Sequence, residues 1–356
     1  MGFHCGIIGL PNVGKSTLFN ILTNSNIPAK NFPFCTIKSN FGIAPVFDDR
    51  LNVISSIVNP NKITTTFMEF VDIAGLVKGA SKGLGLGNQF LDNIRRTNLI
   101  IHVVRCFNND SIIHVHNNVN PIYDIEIINM ELIISDLQLC QKEILKLKKK
   151  KVHNDKIIIL ENCIHFLQNG NMLRDLNLSN IELKIIYDIN LITLKPVIYI
   201  FNISEDSKQE SYFDKLLNYM NKRNNIFITI KILEEMQNEY LKLENNNYLN
   251  LVKNDKSKIN DIIQTGYKIL KLQNFFTVGK KEIRSWTIPI GTTSIQAAKK
   301  IHTDFQRGFI RSKIISYVDF IKFKNEHELK KFGKIRIEGK NYIIQDGDII
   351  EFLFKV

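Results

Sequence analysis

The sequence has little cysteine, and it lacks the cysteine spacings that mark a metal or redox site. Its 356 residues include five cysteines, and no two of them form a CxxC pair. An odd number at wide spacing argues against a disulfide framework and indicates free thiols in a reducing compartment. These absences exclude a zinc finger, a thioredoxin-like redox site and a disulfide-stapled secreted protein.

Long apolar runs and targeting segments are also missing. No apolar stretch approaches the roughly 18 residues that a membrane span needs, so we expect no membrane partner. The N-terminus, MGFHCGIIGLPNVGKS, lacks the basic start and uninterrupted apolar segment of a signal peptide. Gly6 also stands where a myristoylation signal has serine or threonine. The sequence therefore predicts a cytoplasmic protein.

Acidic residues are outnumbered by basic ones. The chain has 47 Lys and Arg against 35 Asp and Glu, which gives a net charge of +12. From Lys280 to the end it has 16 basic and nine acidic residues, so the excess is concentrated in the last quarter. Such a surface suits a polyanionic partner, and we expect nucleic acid or a ribonucleoprotein. A general enrichment of the whole chain in lysine is the alternative explanation.

A phosphate-binding loop stands at the start of the chain. Gly9 to Ser16, GLPNVGKS, fits G-x4-G-K-[ST] and lies between an apolar strand, Phe3–Ile8, and a segment with helical spacing. Glycines let main-chain amides turn toward phosphate oxygens, and the helix N-terminus adds positive potential. We expect the Lys15 ammonium to contact the β- and γ-phosphates and the Ser16 hydroxyl to bind Mg²⁺.

Two further segments fit the contacts to magnesium and to the γ-phosphate. Asp72 and Gly75 form D-x-x-G after the strand Thr66–Val71. Asp72 would hold Mg²⁺ through water, and the Gly75 amide would contact the γ-phosphate. Thr36, in the segment NFPFCT, is a candidate second hydroxyl ligand of Mg²⁺ on a loop that orders around a triphosphate. Oxidation of the adjacent Cys35 is a candidate redox control, with a buried small apolar residue as the alternative.

The glutamine that orients the attacking water in Ras-like enzymes is absent. Leu76 follows D-x-x-G and has no hydrogen-bonding group in its side chain. His114, on the loop after the strand Leu99–Val104, is the candidate catalytic replacement, and a structural histidine in an apolar run is the alternative. We therefore expect slow intrinsic hydrolysis unless another residue positions the water.

The base-recognition motif of guanine-specific proteins, N-K-x-D, is absent as well. After the strand Pro196–Phe201 the chain reads Asn202-Ile203-Ser204-Glu205 instead. Without the short carboxylate of aspartate the site loses a charge-assisted pair with guanine. Adenine is then favoured, with recognition partly by main-chain groups near Ile203. A GTPase with a degenerate base motif is the alternative.

The order of the expected elements divides the chain into three parts. The first part, and the part that returns after residue 190, alternate strand and helix, which is typical of a doubly wound α/β sheet. Residues 121–190 have helical spacing with few turn signals. We predict a P-loop domain, a helical insertion and a C-terminal domain with the boundaries 1–120 plus 191–274, 121–190 and 275–356, respectively.

The last part has a different texture. From Asn274 onward short strands, among them Asn341–Ile344, alternate with turns around one helix, Ile295–Ile301. Two segments there mix aromatic and basic residues, Phe275–Trp286 and Phe305–Arg311. We expect most of their aromatic rings to pack the small core and their charges to contact phosphates.

Together these motifs resemble the YchF/Obg-like ATPase family. The similarity extends over essentially the whole chain and is carried by GLPNVGKST, NFPFCTI, VDIAGLVKGASKGLGLGNQFL, HVVRCF and GKNYIIQDGDIIEFLF. The resemblance implies an α/β fold: a doubly wound P-loop NTPase sheet of the TRAFAC class, a coiled-coil-like helical insertion and a C-terminal β-grasp (TGS) domain. It also implies ATP binding at least as good as GTP binding, and association with ribosomes and ribosomal RNA.

The resemblance also implies roles for particular residues. The matching phosphate-binding segment consists of Asn12, Val13, Gly14, Lys15, Ser16 and Thr17. Ser16 and Thr36 match the magnesium positions, and Ile203 matches a backbone contact to the base. Asn12 matches an asparagine that coordinates K⁺ in potassium-stimulated relatives, so a K⁺ ion beside the phosphates is a hypothesis. Ile230-Lys231 departs from the small-residue pair of relatives, which leaves base discrimination open.

The sequence thus predicts a monomeric, slowly hydrolysing ATPase that acts as a molecular switch and binds the ribosome through a basic cleft. The γ-phosphate and Mg²⁺ would order Thr36 and residues 72–87. Two alternatives stay open. One is a GTP-dependent ribosome-assembly factor of the Obg type, and the other is a nucleotide-gated regulatory binding protein with negligible turnover.

Overall fold

A computed structural model of the chain describes the residues 3–23, 41–73, 86–109, 114–115, 118–149, 155–209, 211–236 and 258–355. They form two compact units. The N-terminal unit comprises Phe3–Ala44 and Glu69–Asp261, and the C-terminal unit comprises Pro45–Met68 and Ile262–Val356. Two sheets, each with six strands among the described residues, form the framework.

In chain order the elements are β1 (His4–Ile8), α1 (Lys15–Thr23), β2 (Phe41–Val46), α2 (Asp49–Val58), β3 (Ile63–Thr64), β4 (Thr66–Asp72), α3 (Leu86–Arg95), β5 (Leu99–Cys106), α4 (Pro121–Lys149), α5 (Asp155–Gln168), α6 (Asn180–Ile186), β6 (Val197–Ile203), α7 (Ser211–Lys222), β7 (Ile226–Ile230), α8 (Lys258–Ile269), β8 (Leu272–Val278), β9 (Ile283–Pro289), α9 (Ser294–Ile301), α10 (Thr303–Arg307), β10 (Phe309–Ile315), α11 (Tyr317–Phe323), α12 (Glu326–Lys331), β11 (Arg336–Glu338) and β12 (Ile349–Phe354). Short 3-10 helices lie at Leu173–Asp175, Tyr187–Ile189, Ile192–Leu194 and Asp206–Gln209. No helix of these described stretches is long and apolar enough to cross a membrane.

The first sheet has the strand order β2-β4-β1-β5-β6-β7. Strand β1 pairs in parallel with β4 and β5, and β6 pairs in parallel with β5 and β7. All residues of the central strand β5 are buried, as expected for a parallel strand covered on both faces. Because the strands are parallel, the carboxyl ends of β1, β4, β5 and β6 meet at one edge of the sheet. That edge is where ligands bind in folds of this kind.

The helices expected in residues 121–190 are present. The long helix α4 starts against the sheet, where Ile125 packs with Phe201 and Leu216, and its far end runs beside α5. Lys148 of α4 pairs with Glu161 of α5 at 3.1 Å. This arrangement agrees with the predicted helical insertion.

A buried polar cluster joins α3 to α4. The Asp136 carboxylate, with no solvent exposure, accepts hydrogen bonds from Arg95 Nη1 at 2.8 Å and from the backbone amide of Thr193 at 2.7 Å. The Thr193 hydroxyl also donates to it, and Ser135 Oγ accepts from Arg95 Nη2 at 2.7 Å. Lys195 Nζ donates to the carbonyl oxygens of Arg95 and Thr97 at the end of α3.

The second sheet is mixed and has the order β11-β10-β12-β8-β9-β3. Strand β12 runs parallel to β8, whereas β8–β9, β10–β12 and β10–β11 are antiparallel pairs. Helix α9 packs Ala297 and Ala298 on one face, against Phe275 and Phe352. This arrangement confirms the predicted C-terminal β-grasp fold. Phe275 and Phe309 are buried in its core, as expected for the aromatic residues of this region.

The segment Pro45–Met68 is an integral part of the C-terminal unit. Leu51 and Ile54 of α2 pack with Phe276 and Phe320, and β3 adds a parallel strand beside β9. The predicted domain boundaries included this segment in the P-loop domain. The boundaries themselves stay a prediction.

One predicted strand is wrong. In place of a strand over Asn341–Ile344 the chain makes an isolated bridge between Ile343 and Thr293. The reason is the turn that follows: the Asp348 carboxylate accepts hydrogen bonds from the Gln345 amide at 2.9 Å and the Tyr342 hydroxyl at 2.8 Å. These local bonds bend the backbone away from a ladder.

Candidate nucleotide-binding site

The loop between β1 and α1 has the backbone geometry of a phosphate-binding loop. Gly9, Asn12 and Gly14 have positive φ angles of 151°, 61° and 101°. A Cβ atom on Gly9 would lie 2.4 Å from the carbonyl oxygen of Val103, so only glycine fits where the loop passes β5. Residues of left-handed conformation in such a turn direct successive amides to one side and form an anion-binding nest. The loop ends at the N-terminus of α1, where anions are favoured.

The side chain of Lys15 lies inside this loop. It is 8% exposed, and its Nζ atom donates a hydrogen bond to the carbonyl oxygen of Leu10 at 2.7 Å. Burial lowers the pKa of the ammonium group, while the negative charge of Asp72 acts in the opposite direction. A partly desolvated cation at a helix N-terminus interacts more strongly with phosphate oxygens than an exposed one does.

Ser16 and Asp72, both predicted to act on magnesium, lie side by side. Ser16 Oγ donates a hydrogen bond to Oδ2 of Asp72 at 2.9 Å. Oδ1 of the same carboxylate is buried and, among the residues that the structure describes, has no hydrogen-bond partner. A hydroxyl beside a carboxylate oxygen that is not otherwise used fits Mg²⁺, which prefers oxygen ligands. Thr36, the other predicted ligand, lies outside the described residues, as do Cys35 and Gly75.

Asn202, predicted to recognise the base, has its side chain in a structural contact. It is buried at the end of β6, and Nδ2 donates to the carbonyl oxygen of Val13 at 3.1 Å. Oδ1 accepts from the backbone amide of Ile232 at 3.3 Å. The amide therefore holds the phosphate loop against the chain that follows β7. This role had no sequence signal, because the partners are distant in the chain.

The two other predicted base contacts lie close to Asn202. Ile203 is buried as the last residue of β6. The Glu205 side chain is 82% exposed and pairs with Lys231 at 3.5 Å. Both residues thus stand at the carboxyl edge of the sheet, next in the chain to Asn202, which contacts the phosphate loop. Contact with a base stays a prediction for all three.

His114, predicted to orient the attacking water, is buried in this structure. Its Nε2 atom lies 3.1 Å from Oδ2 of Asp124, which is also buried in the first turn of α4. A carboxylate in the first turn of a helix is stabilised by the helix dipole, so the pair has a structural role of its own. The catalytic role of His114 stays a prediction, as does the K⁺ ion near Asn12.

Two buried polar residues of β5 were missed by the sequence reasoning. Arg105 is 2% exposed, and it donates from Nε to the carbonyl oxygen of Phe107 and from Nη2 to that of Asn109, both at 3.1 Å. It thereby shapes the chain that leaves the sheet edge. Burial and two nearby cations lower the pKa of His102 to about 3, so the imidazole is neutral. Their signal was two polar side chains inside the apolar run LIIHVVRC.

Two family models match the chain. One, described as a 50S ribosome-binding GTPase, matches residues 4–162 and so covers the phosphate loop, β4, β5 and α4. The other, the C-terminal YchF-GTPase model described as a protein of unknown function, matches residues 272–355. It covers the mixed sheet of the C-terminal unit from β8 to β12.

Named proteins match over their full lengths. The "Ribosome-binding ATPase YchF" of Buchnera aphidicola subsp. Acyrthosiphon pisum is 53% identical over 370 residues, with 100% of both chains covered. Its namesake from Escherichia coli O157:H7 is 49% identical over 367 residues, again with 100% coverage of both. A structure described as the Schizosaccharomyces pombe YchF GTPase is 35% identical, covers 99% of this chain and 98% of its own, and superposes with a TM-score of 0.86. The chain therefore belongs to the YchF family of P-loop NTPases.

Proposed function

We propose that this protein is a ribosome-binding ATPase that hydrolyses ATP to ADP and phosphate as a molecular switch. Relatives that are 53% and 49% identical over the full chain are named for this activity. The observation that carries the proposal is the phosphate loop, with the Lys15 ammonium held inside it and the Ser16 hydroxyl bonded to Asp72.

Phosphate binding follows from the loop and from α1. The amides of the loop and the N-terminus of α1 face the same side and would hold the phosphate oxygens. Lys15 would exchange its bond to the Leu10 carbonyl for stronger, charge-assisted bonds to the β- and γ-phosphates. Asn12, Val13, Gly14 and Thr17 complete the proposed phosphate segment.

Magnesium would be held by the Ser16 hydroxyl, with Asp72 and Thr36 as further proposed contacts. The ion supplies charge neutralisation between the β- and γ-phosphates when bound. Asp72 keeps the Ser16 hydroxyl oriented through their 2.9 Å hydrogen bond. The Gly75 amide is the proposed contact that distinguishes triphosphate from diphosphate.

Adenine recognition is the finer part of the proposal. The position of aspartate in guanine-specific motifs is taken by Glu205, and its exposed side chain pairs with Lys231. Main-chain groups at Ile203 would then contact the base. This recognition favours adenine, so GTP would be the weaker ligand. The Obg-type GTP-dependent alternative is supported by the match of residues 4–162 to a GTPase model.

Hydrolysis without a glutamine beside the γ-phosphate is proposed to be slow, and His114 is the proposed residue that orients water. For this, its imidazole must leave Asp124. Binding to the ribosome and its RNA is proposed to use basic side chains, such as the exposed Lys322, Lys324 and Lys331 of the C-terminal unit. A cytoplasmic monomer fits this function.

Calorimetric titration of ATP and of GTP with Mg²⁺ tests the nucleotide assignment. We expect ATP to bind at least as tightly as GTP. Neither nucleotide should give a binding heat with Lys15→Ala, because the loop loses its cation. Lys142→Ala, an exposed lysine of α4, is the matched control and keeps the wild-type affinity. Tight GTP binding without ATP binding supports the Obg-type alternative, and no binding of either rejects the proposal.

Phosphate release with and without ribosomes tests the switch. We expect slow release from the protein alone and faster release with ribosomes present. Nucleotide binding without turnover in both conditions contradicts the ATPase assignment and favours a nucleotide-gated regulatory protein.

A further inference from the structure

The N-terminal unit contains a cavity that the nucleotide site does not use. It has a volume of about 290 Å³ and lies among α4, the segment 170–175, β6 and the end of α7. This volume is near the lower limit of small-molecule sites and too small for a nucleoside triphosphate. On β6 the residue Tyr199 lines the cavity, and it lies, like Phe201, on the face that packs against α7. Asn202, which holds the phosphate loop, points to the opposite face because strand side chains alternate.

Tyr199 is the most buried residue that lines the cavity. The residue is 1% exposed, and its ring centroid lies 5.3 Å from that of His102. A phenolic hydroxyl can both donate and accept a hydrogen bond, so it offers a contact to a polar ligand atom in the cavity.

The rim of the cavity offers paired hydrogen-bonding groups and balanced charge. The side-chain amides of Asn129, Asn171 and Asn225 each provide a donor and an acceptor. Two cations, Arg174 and Arg223, and two carboxylates, Glu126 and Asp175, line the same space. Because these charges cancel, a neutral ligand with both donors and acceptors is favoured over an anion or a cation.

The walls favour a flat ligand. Arg223 stacks on the ring of Tyr219, with its guanidinium carbon 4.0 Å from the ring centroid, and this layer forms one wall. Met130 and Met172 add apolar, deformable surface. Stacking on aromatic rings and on guanidinium planes is how proteins hold unpaired bases.

We propose that this cavity binds a nucleobase, presented either by a free nucleoside or by an unpaired base of RNA. A nucleobase is flat, neutral and bordered by donors and acceptors, and these are the properties that the walls and rim select. The site is separate from the proposed ATP site, since its lining includes no residue of the phosphate loop and none of the residues 202–205.

The test uses the full-length protein saturated with ATP and Mg²⁺. Adenosine, guanosine, cytidine and uridine are titrated into it separately, and binding is monitored by ligand-observed NMR. We expect at least one nucleoside to bind with a Kd on the order of 0.1–1 mM, typical for a ligand of that size. Tyr199→Phe removes the hydroxyl alone and should weaken binding about 3- to 10-fold. Met130→Trp fills the cavity and should abolish binding. Leu145→Trp, at an exposed position of the same helix, is the control and should bind normally.

Several results overturn the proposal. Displacement of the nucleoside by excess ATP would place it at the phosphate-loop site. Equal affinity in wild type, Tyr199→Phe and Met130→Trp would place it elsewhere on the surface. Thermal unfolding of the variants shows whether they fold, and if Met130→Trp does not, Tyr199→Phe alone decides.

A short single-stranded RNA distinguishes the two sources of the base. If it binds more tightly than every nucleoside and loses affinity in Tyr199→Phe, the base comes from RNA. If nucleosides bind and the RNA does not, the ligand is a free nucleoside. If neither binds, the cavity assignment is wrong. ATP titration of the same variants is read separately, so failure of the proposed ATPase function is distinguishable from failure here.

Discussion

The two units use their acidic side chains differently. In the C-terminal unit the Asp48 carboxylate accepts two hydrogen bonds from the Arg50 guanidinium, at 2.8 and 2.9 Å, one from the Arg50 amide at 3.2 Å and one from Asn274 at 3.1 Å. In the N-terminal unit Asp72 has one oxygen on Ser16 and a second, buried oxygen with no hydrogen-bond partner in the described part of the chain. A carboxylate with an unused oxygen has a high cost unless a ligand comes to it. The comparison supports the proposed ligand site in the N-terminal unit and shows a structural cluster in the C-terminal unit.

The N-terminal unit also contains a closed cluster, which sharpens the comparison. Asp136 is fully buried and accepts hydrogen bonds from Arg95 and from both donors of Thr193. The difference therefore concerns position rather than the unit as a whole: charges at the carboxyl edge of the parallel sheet are available, whereas those between helices are neutralised within the protein.

The largest expected effect is on this closed cluster. Asp136→Ala removes the carboxylate partner of the half-buried Arg95 guanidinium. We therefore expect the free energy of unfolding to fall by about 3–5 kcal/mol. Urea denaturation of the full chain measures it. Asp188→Ala is the matched control, because that carboxylate is 71% exposed in its pair with Lys156 and should change stability by less than about 1 kcal/mol. Equal effects of the two substitutions would contradict the distinction between closed and exposed pairs.

The next effect belongs to the open site. Ser16→Ala removes the hydroxyl that would hold the magnesium ion, and we expect ATP hydrolysis with Mg²⁺ to fall on the order of 100-fold. The free energy of unfolding should change by no more than about 1–2 kcal/mol, since one hydrogen bond to Asp72 is lost. Asn20→Ala, on the exposed side of α1, is the control. A Ser16→Ala variant that keeps its magnesium-dependent rate would show that the metal is not held here.

A smaller effect is expected for the cluster of the C-terminal unit. Arg50→Ala removes the bonds to Asp48 and to Asp346, the latter pair being 2.8 Å long and half-exposed. We expect a loss of about 1–3 kcal/mol in the free energy of unfolding, because the site is partly solvated. Nucleotide affinity should be unchanged, whereas Lys340→Ala should alter neither quantity. A change in ATP affinity with Arg50→Ala would contradict the distinction between charged residues that stabilise the fold and charged residues that bind the ligand.

The sequence predicts contacts that are local in the chain and misses those that are distant. Contiguous sequence patterns mark the phosphate loop, D-x-x-G and the helices of the insertion. Spacing alone therefore predicted that Lys15, Ser16 and Asp72 belong to the nucleotide site. The contact of Asn202 with Val13 joins positions 189 apart. No periodicity reports such a contact, so the sequence predicted a base contact for Asn202 and did not predict its contact with Val13.

The same limit explains the segment Pro45–Met68. Arg50 meets Asp346 across 296 positions of the sequence, and this long-range pair fixes the segment in the C-terminal unit. Strand propensity failed over Asn341–Ile344 for the opposite reason, since the local carboxylate of Asp348 overrides it. The run LIIHVVRC indicated that Arg105 is buried, but its bonds to the carbonyl groups of Phe107 and Asn109 had no signal, because every residue has a carbonyl group.

The buried Lys195, next to the closed cluster of Asp136 and Arg95, should make the free energy of unfolding depend on pH. Burial lowers the pKa of Lys195 to about 8, with Asp136 opposing and Arg95 adding to the shift. Between pH 8 and about 10.5 the unfolded chain keeps a proton that the folded chain has released, so stability attributed to this group rises with pH. Lys195→Met should remove that rise, as seen in denaturation at several pH values. Lys184→Met, on the surface, should retain it.

The smallest effect is expected at the surface of the C-terminal unit. Glu326 accepts a hydrogen bond from Lys313 at 2.8 Å and pairs with Lys330 at 3.0 Å, and these contacts lower its pKa to about 2. A lowered carboxylate pKa stabilises the fold above the unfolded value near 4.5 and loses that contribution as the pH falls toward 2. Because the side chain is 56% exposed, solvent screens the pairs, and Glu326→Gln should cost less than about 1 kcal/mol at pH 7 and nothing near pH 2. A loss comparable to that of Asp136→Ala would mean that exposure does not decide the strength of these pairs, and the contrast between open and closed charge would fail.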